Sequence, residues 1–375
     1  MPPLIHHFKT HRPWARLSQL ICSMTDLEEE FVTELISFGA VYLANPLPEG
    51  KWHEGVSKIE GMSKAERVTV DVPVPEEAYV RVHVNPKRHP RAIRDDWQQR
   101  IIASAEDAYV LDKPAGVPMV PTVDNLVESA LFQASKCTGE DLFVTSRLDG
   151  CTSGVVVLAR SSMAAGRYNK CIREGKHHKM YRLLCQGPVP VGKVQHGYKK
   201  LRGRLHAKPT LLSAKVDHRY DPDKNMWQLA ELDVVLCKPV YKGPGGNVLY
   251  ECLVELVTGR THQIRLQFAA LSAPLVGDSR YEPVSGLLDE GPHTLWGDGS
   301  ELFGPEPEQI CLQASRVDLC LDDEGWVSYE AGTPCWHDLD HLKAEMLSAA
   351  EWTHYQEPAG EEGEEITEEP SLKSN

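Results

Sequence analysis

Asp149 stands in the run VTSRLDGCTSGVVVLAR, residues 144–160, two residues after Arg147 and just ahead of Thr152, Ser153, Gly154 and an apolar stretch, 155–159. A carboxylate on a turn that feeds a buried strand is held in one place, and an ionised carboxylate can attack an electrophilic carbon or take a proton. The tripeptide Arg-Leu-Asp alone is common and on its own reads first as an exposed ion pair in a turn. Cys151 could be read as a nucleophile instead, but no neighbouring histidine pattern marks a base for it. Glycosidase chemistry would need two carboxylates flanking the scissile bond, and here the flanking residues are basic.

Three further runs carry residues of the same kind. Lys113, Pro114 and Gly116 form a Lys-Pro-x-Gly turn after an apolar strand, where proline fixes φ and glycine permits a sharp bend. Lys179 and Tyr181 lie in KMYRLLCQ, a strand pattern. The octet TGRTHQIR, 258–265, carries Arg260, His262 and Arg265 into a helix capped near Thr261, with Ile264, Phe268 and Leu271 predicted to face inward.

In order and content, these four runs resemble the RluA family of RNA pseudouridine synthases, and TGRTHQIR is a specific signature of it. The resemblance covers about 97–327, and the HAKP and WQLAELDVVLC segments resemble eukaryotic, particularly plant-type, members. It implies that Asp149 is the catalytic residue, that Arg265 pairs with it and that the Tyr181 ring supports the target base. Arg260 and His262 are then phosphate or structural contacts, and Arg147 fills the place of the flipped uridine or holds a neighbouring phosphate. Lys113 is counted among RNA contacts, although a scaffold role suits its turn better. Two departures stand out: the family commonly has His before Arg-Leu-Asp and a charged residue after it, whereas this chain has Ser146 and Gly150-Cys151.

The implied chemistry breaks the bond from C1′ to N1 of a uridine, turns the detached uracil and joins C5 to C1′, with no net redox change or hydrolysis. Asp149 would act at the ribose, either attacking C1′ or taking a 2′ proton, and an adjacent arginine would keep it ionised. The uridine must first leave its stack, as for other enzymes that act on a base. No metal or organic cofactor is expected, since GxGxxG, P-loop, HExxH and CxxC patterns are all missing from the sequence. A catalytically silent RNA-binding protein on the same fold is the alternative.

The scaffold around these residues can be read from the pattern. The implied fold class is α+β: a mixed, mainly antiparallel sheet flanked by helices, preceded by a small S4-like α+β module. Residues 1–25 hold Lys9, Arg12 and Arg16 and no acid, which suits a flexible arm or an organelle transit segment. Helical patterns fall at 17–24 and 27–38, and residues 26–95 fit the RNA-binding module, with Gly39 as a C-cap and strands at 40–44, 67–74 and 78–92. The catalytic domain is expected over 97–350, with Asp124 capping a helix to Lys136, and with 187–248, which holds one clear strand pattern at 227–237, read as an insertion over the rim. The tail 351–375, with eight Glu and one Lys, is too acidic to fold.

The net charge of −14 argues at first against a nucleic-acid partner, but 160–208 carries thirteen Lys or Arg against the single acid Glu174. Arg160, Arg167, Lys170, Arg173 and Lys179 in this belt are the expected backbone contacts to RNA, whether tRNA, rRNA or another. Ten scattered cysteines suit reduced intracellular thiols, in cytoplasm, nucleus or an organelle, and no apolar run is long enough for a membrane span. A monomer is expected.

Overall fold

The computed structural model describes residues 4–46, 62–200, 209–213, 227–243, 245–286, 304–321, 325–337 and 345–346. The expected acidic tail therefore lies outside the described residues.

The N-terminal module consists of β1 (Ile5–Lys9), α1 (Leu17–Met24), α2 (Glu29–Ser37), β2 (Val41–Ala44), β3 (Glu66–Val68) and β4 (Tyr79–His83). Its sheet runs β1-β4-β2-β3, all antiparallel. Period-2 alternation places Val80 and Val82 of β4 in the core against Leu17, Leu20 and Ile21 of α1 and Val32, Leu35 and Ile36 of α2. The expected arm is thus corrected: β1 and α1 are built into the module, and neither hangs free. On α2 Phe31 is exposed, and Val32, Leu35 and Ile36 form the buried face.

The module is fastened to the rest of the chain through 122–128. Phe38 carbonyl accepts from Leu126 N–H at 2.9 Å, Tyr42 donates its hydroxyl to Val123 O at 2.8 Å, and Arg88 pairs with the buried Glu128 at 3.0 Å. Asp124 accepts from Lys87 N–H at 2.8 Å and caps no helix. Ser129 is the cap instead, accepting from Phe132 N–H, because the apolar helical period starts only at Ala130.

The chain continues with α3 (Arg91–Arg94), α4 (Trp97–Arg100), β5 (Ile101–Ser104), β6 (Ala108–Lys113), α5 (Ala130–Thr138), β7 (Phe143–Val144), β8 (Ser153–Ala159), α6 (Ser162–Arg173) and β9 (His177–Cys185). Then come β10 (Gly192–Lys200), β11 (Pro209–Ser213), β12 (Trp227–Lys242), β13 (Val248–Leu256), α7 (Gln263–Ala270), β14 (Leu312–Cys320), β15 (Trp326–Glu330) and β16 (Glu345–Met346). The main sheet runs β11-β10-β12-β13-β9-β14-β8-β6-β5, with β7, β15 and β16 paired at its sides. Among the described strands only β14 and β8 run parallel, so the expected mixed, mainly antiparallel α+β architecture is the one observed.

β8 reads as an unbroken apolar run because both of its faces are covered. Val155, Val157 and Ala159 pack under α6, while Val156 and Leu158 pack on the side of α5. The region 187–248 departs from expectation. Its described parts include β10 and β12, and β12 pairs with both β10 and β13, so they extend the sheet itself and do not cover its rim. The residues 201–208 and 214–226 lie outside the described residues.

Candidate active site

Asp149 sits on a turn closed by Thr152 N–H donating to Asp149 O at 3.1 Å, and Thr145 Oγ1 ties the approach to Val157 O at 2.8 Å. The next carbonyl, Gly150 O, accepts from Gly116 N–H at 2.8 Å and from Lys113 Nζ at 3.3 Å. Lys113 also donates to Pro114 O and Val117 O, each at 2.8 Å, and is fully buried. The Lys-Pro-x-Gly turn is therefore a strut beneath Asp149, and Lys113 is not an RNA contact: no phosphate could reach it.

Burial pushes the Lys113 ammonium down to about 7 from its ordinary 10.5, against the opposing pull of Cys151 and Asp149. The folded state thus binds fewer protons than the unfolded chain between about pH 7 and 10, so this group makes stability rise with pH across that window. Lys113→Met should flatten that part of the curve of unfolding free energy against pH, measured by urea titration. Turnover should also fall, because the turn under Asp149 loses its brace.

Gly154 brings the neighbouring strands into reach. It has φ +112°, and a Cβ there would lie 2.2 Å from Ala314 O, so only glycine lets β8 and β14 run side by side at this point. Ala314 is opposite Gly154 on one side and opposite Tyr181 of β9 on the other. Tyr181 is thereby placed level with the start of β8, packed in one core cluster with Cys151. Burial, and next the Asp149 charge, push its phenol well above the ordinary tyrosine range. Cys151 is likewise buried, its thiol pushed up to about 12, which leaves no thiolate for nucleophilic attack.

After β13 the chain turns into α7, with Gln263 holding the entry. Its Oε1 accepts from Thr258 Oγ1 at 2.8 Å and from Arg260 N–H at 3.0 Å. Arg260 itself donates Nε to Leu229 O at 3.1 Å, so its guanidinium braces β12. Thr261 is not the cap; His262 is, with left-handed backbone at φ 56°. All of α7 is buried, wider than the single apolar face expected.

Arg265 is fully buried and its partners differ from expectation. Nε and Nη2 grip Asp278 at 2.7 and 2.8 Å, and Nη1 donates to Glu306 Oε1 at 2.7 Å. The expected ion pair between Arg265 and Asp149 is not formed: within 4 Å, the charge partner of Asp149 among the described residues is His262, with Nε2 3.8 Å from Oδ1. Glu306 also bridges to Arg280 at 2.6 Å, and although burial works against its charged form, Arg265, His262 and Arg280 hold its carboxyl below the usual range. Asp278, Arg280 and Tyr281 stand in the run GDSRY, 277–281, and have no part in the sequence reading. Glu306, in GPEPEQ, carried no signal at all.

The basic belt is adjacent to Asp149 in sequence more than in space. β6 and β8 are in register from Lys113 opposite Gly154 to Ala108 opposite Ala159, five residues or roughly 17 Å along the strand. Arg160 lies beyond that far end, paired with Glu140 at 3.3 Å, and Arg167 is paired there with Asp107 at 3.2 Å. Both charges are thus committed away from the site. Lys170 and Arg173 are exposed on α6. Lys179 is half-buried, two residues before Tyr181 on the same face of β9, and burial pushes its ammonium down to about 8. Arg147 is exposed and makes no ion pair among the described residues.

Comparison with known proteins agrees with this arrangement. Residues 107–270 match the family model described as RNA pseudouridylate synthase. The chain is 33% identical over 90% of its length, and 82% of the relative's, to "RNA pseudouridine synthase 6, chloroplastic" of Arabidopsis thaliana. It is 29% identical to the protein of the same name in Oryza sativa subsp. japonica, covering 92% and 82% of the two chains. It is also similar to "tRNA pseudouridine(31) synthase" of Saccharomyces cerevisiae, 27% identical over 48% of this chain and 46% of that one. The matched residues hold the Asp149 turn, Tyr181 and the Arg265 helix alike, and the chain belongs to the RNA pseudouridylate synthase family.

Proposed function

We propose that the protein isomerises uridine to pseudouridine in RNA, with Asp149 acting at the ribose of a flipped uridine and the Tyr181 ring supporting the base. One observation carries this reading. Asp149 is a carboxylate about one-third open to solvent (32%), on a turn braced from below by Lys113, with Tyr181 brought level with it through Ala314. A fixed, accessible anion beside a buried aromatic ring suits attack at C1′, or removal of a 2′ proton, on a nucleoside drawn out of its stack.

Arg147, Arg173 and Lys179, with Lys170 exposed in an i,i+4 pair with Glu174 at 3.8 Å, are the basic residues of the predicted set that remain for RNA phosphates, and the N-terminal module adds an S4-like RNA-binding surface. Which RNA is bound depends on them. The relatives' names place those proteins in the chloroplast, and we infer an organelle for this chain also.

The test is turnover. Cellular RNA incubated with the purified full chain and mapped by carbodiimide chemistry should gain pseudouridines at a few defined sites. RNA that is bound but unchanged would favour the silent RNA-binding alternative and overturn the proposal.

A further inference from the structure

We infer that His262 is the positioning residue of this site, holding Asp149 through its Nε2 proton in place of an arginine. The inference rests on Asp149 being the reacting carboxylate. Two neighbours fix which nitrogen carries the proton. Nδ1 lies 2.8 Å from the Tyr281 hydroxyl and 3.4 Å from Arg265 Nη1. A guanidinium can only donate, so Nδ1 presents its lone pair and the proton sits on Nε2, which points to Asp149 Oδ1 at 3.8 Å. That gap is longer than a hydrogen bond and needs to close by less than about 1 Å, as catalytic contacts do when substrate fills a pocket.

The ring is held from its other sides as well. Tyr281 meets it edge-on with centroids 5.8 Å apart, and the ring belongs to a residue with left-handed backbone, a conformation unfavourable for a side chain that bears a Cβ. An asparagine or glycine would take that conformation more easily, yet neither would reach Asp149 with a ring nitrogen. The charged groups around His262 are Asp149 from the turn before β8, Arg265 from α7, Arg280 from the chain after it, and Glu306. Burial lowers the imidazole below its ordinary value, and Asp149 opposes this. A neutral donor orients Asp149 without cancelling the charge that the reaction uses, whereas the charge of Arg265 is taken up by Asp278 and Glu306. Protonation would place a second donor on Nδ1, facing Arg265 Nη1.

The experiment compares the wild-type full chain with His262→Ala, His262→Gln and His262→Asn on a mapped RNA substrate. We expect His262→Ala to lower kcat roughly 10- to 100-fold, the scale of a misplaced reacting group, with RNA Kd within about twofold of wild type. His262→Gln should recover part of that loss through its amide donor. His262→Asn, at ease in the left-handed conformation, separates backbone strain from reach and should stay slow. If the loss falls on Kd, with the slope of log Kd against log salt reduced by about one, His262 is a phosphate contact and the inference is overturned. Unchanged kcat overturns it equally.

Nitrogen-15 NMR of histidine-labelled protein gives a readout independent of turnover. The His262 resonances should show the Nε2–H tautomer at pH 7, and Asp149→Ala should shift Nε2 while leaving Nδ1 nearly in place; the opposite tautomer would end the proposal. A wild-type protein that makes no pseudouridine would overturn the function proposed above, while this measurement would still decide whether His262 faces Asp149 as a donor.

Discussion

Asp149→Asn should give a protein that folds, binds RNA with near wild-type affinity and makes no detectable pseudouridine, a loss on the order of 10⁴-fold or more in single-turnover rate. The size follows from what the substitution removes. An amide keeps the shape of the carboxylate, but it can neither attack C1′ at a useful rate nor take a ribose proton. The folded state has little stake in the charge: the Asp149 side chain accepts no hydrogen bond from the described residues, and its contact with His262 is at 3.8 Å. Stability should therefore stay within about 0.5 kcal/mol, as for other surface positions free of special contacts. Because the substituted amide would precede Gly150, it can deamidate back to aspartate, so Asp149→Ala must accompany it, and slow activity that grows as the Asn variant ages is contamination of that origin. A freshly made Asp149→Ala protein that still converts uridine would remove Asp149 from the mechanism.

The parts of this site that were legible in the sequence are those whose residues act locally. The Asp149 turn and the β8 strand follow from period and from Gly154, because one strand buried on both faces can only be an apolar run. The lysine of the Lys-Pro-x-Gly turn shows the limit. Its type suggests phosphate, and only the fold shows that three carbonyls and Asp149 surround it. The basic belt failed for a related reason: seven strand residues carry Arg160 away from a site only eleven positions earlier, so proximity along the chain became distance in space. Within 187–248 the strand pattern at 227–237 was legible and lies in β12, but β10 was hidden, because Gly, Lys and His interrupt its pattern and its pairing comes from β12, well separated from it in the chain. Glu306 could not have been found at all, since its two arginines arrive from α7 and from the run after it.

Arg265→Met should destabilise the protein by about 3–5 kcal/mol, the cost of leaving a buried partner charge unmatched, and lower Tm by roughly 10 °C in thermal melts. Both Arg265 and Asp278 are fully inaccessible to solvent and joined by two hydrogen bonds, so removing the cation strands Asp278 in the core beneath α7 and loosens Glu306. This is where the family resemblance and the observed geometry part. If Arg265 served as the counter-ion of Asp149, its loss would show mainly in kcat. With its guanidinium committed to Asp278 and Glu306, the loss should show first in folding, and turnover should drop because the stranded Asp278 loosens α7 and with it His262, which caps that helix. The double variant Arg265→Met/Asp278→Leu separates the two. Replacing a buried ion pair by apolar residues of similar size is often close to neutral, so the double variant should recover most of the lost stability while Glu306 keeps Arg280. If the role is structural, kcat should return with Tm to within about tenfold of wild type, because Tyr281 still contacts His262 Nδ1. A double variant that melts like wild type yet fails to make pseudouridine would instead reinstate Arg265 as the group that acts on Asp149, and would mean that Glu306 yields its place on Arg265 when RNA is bound.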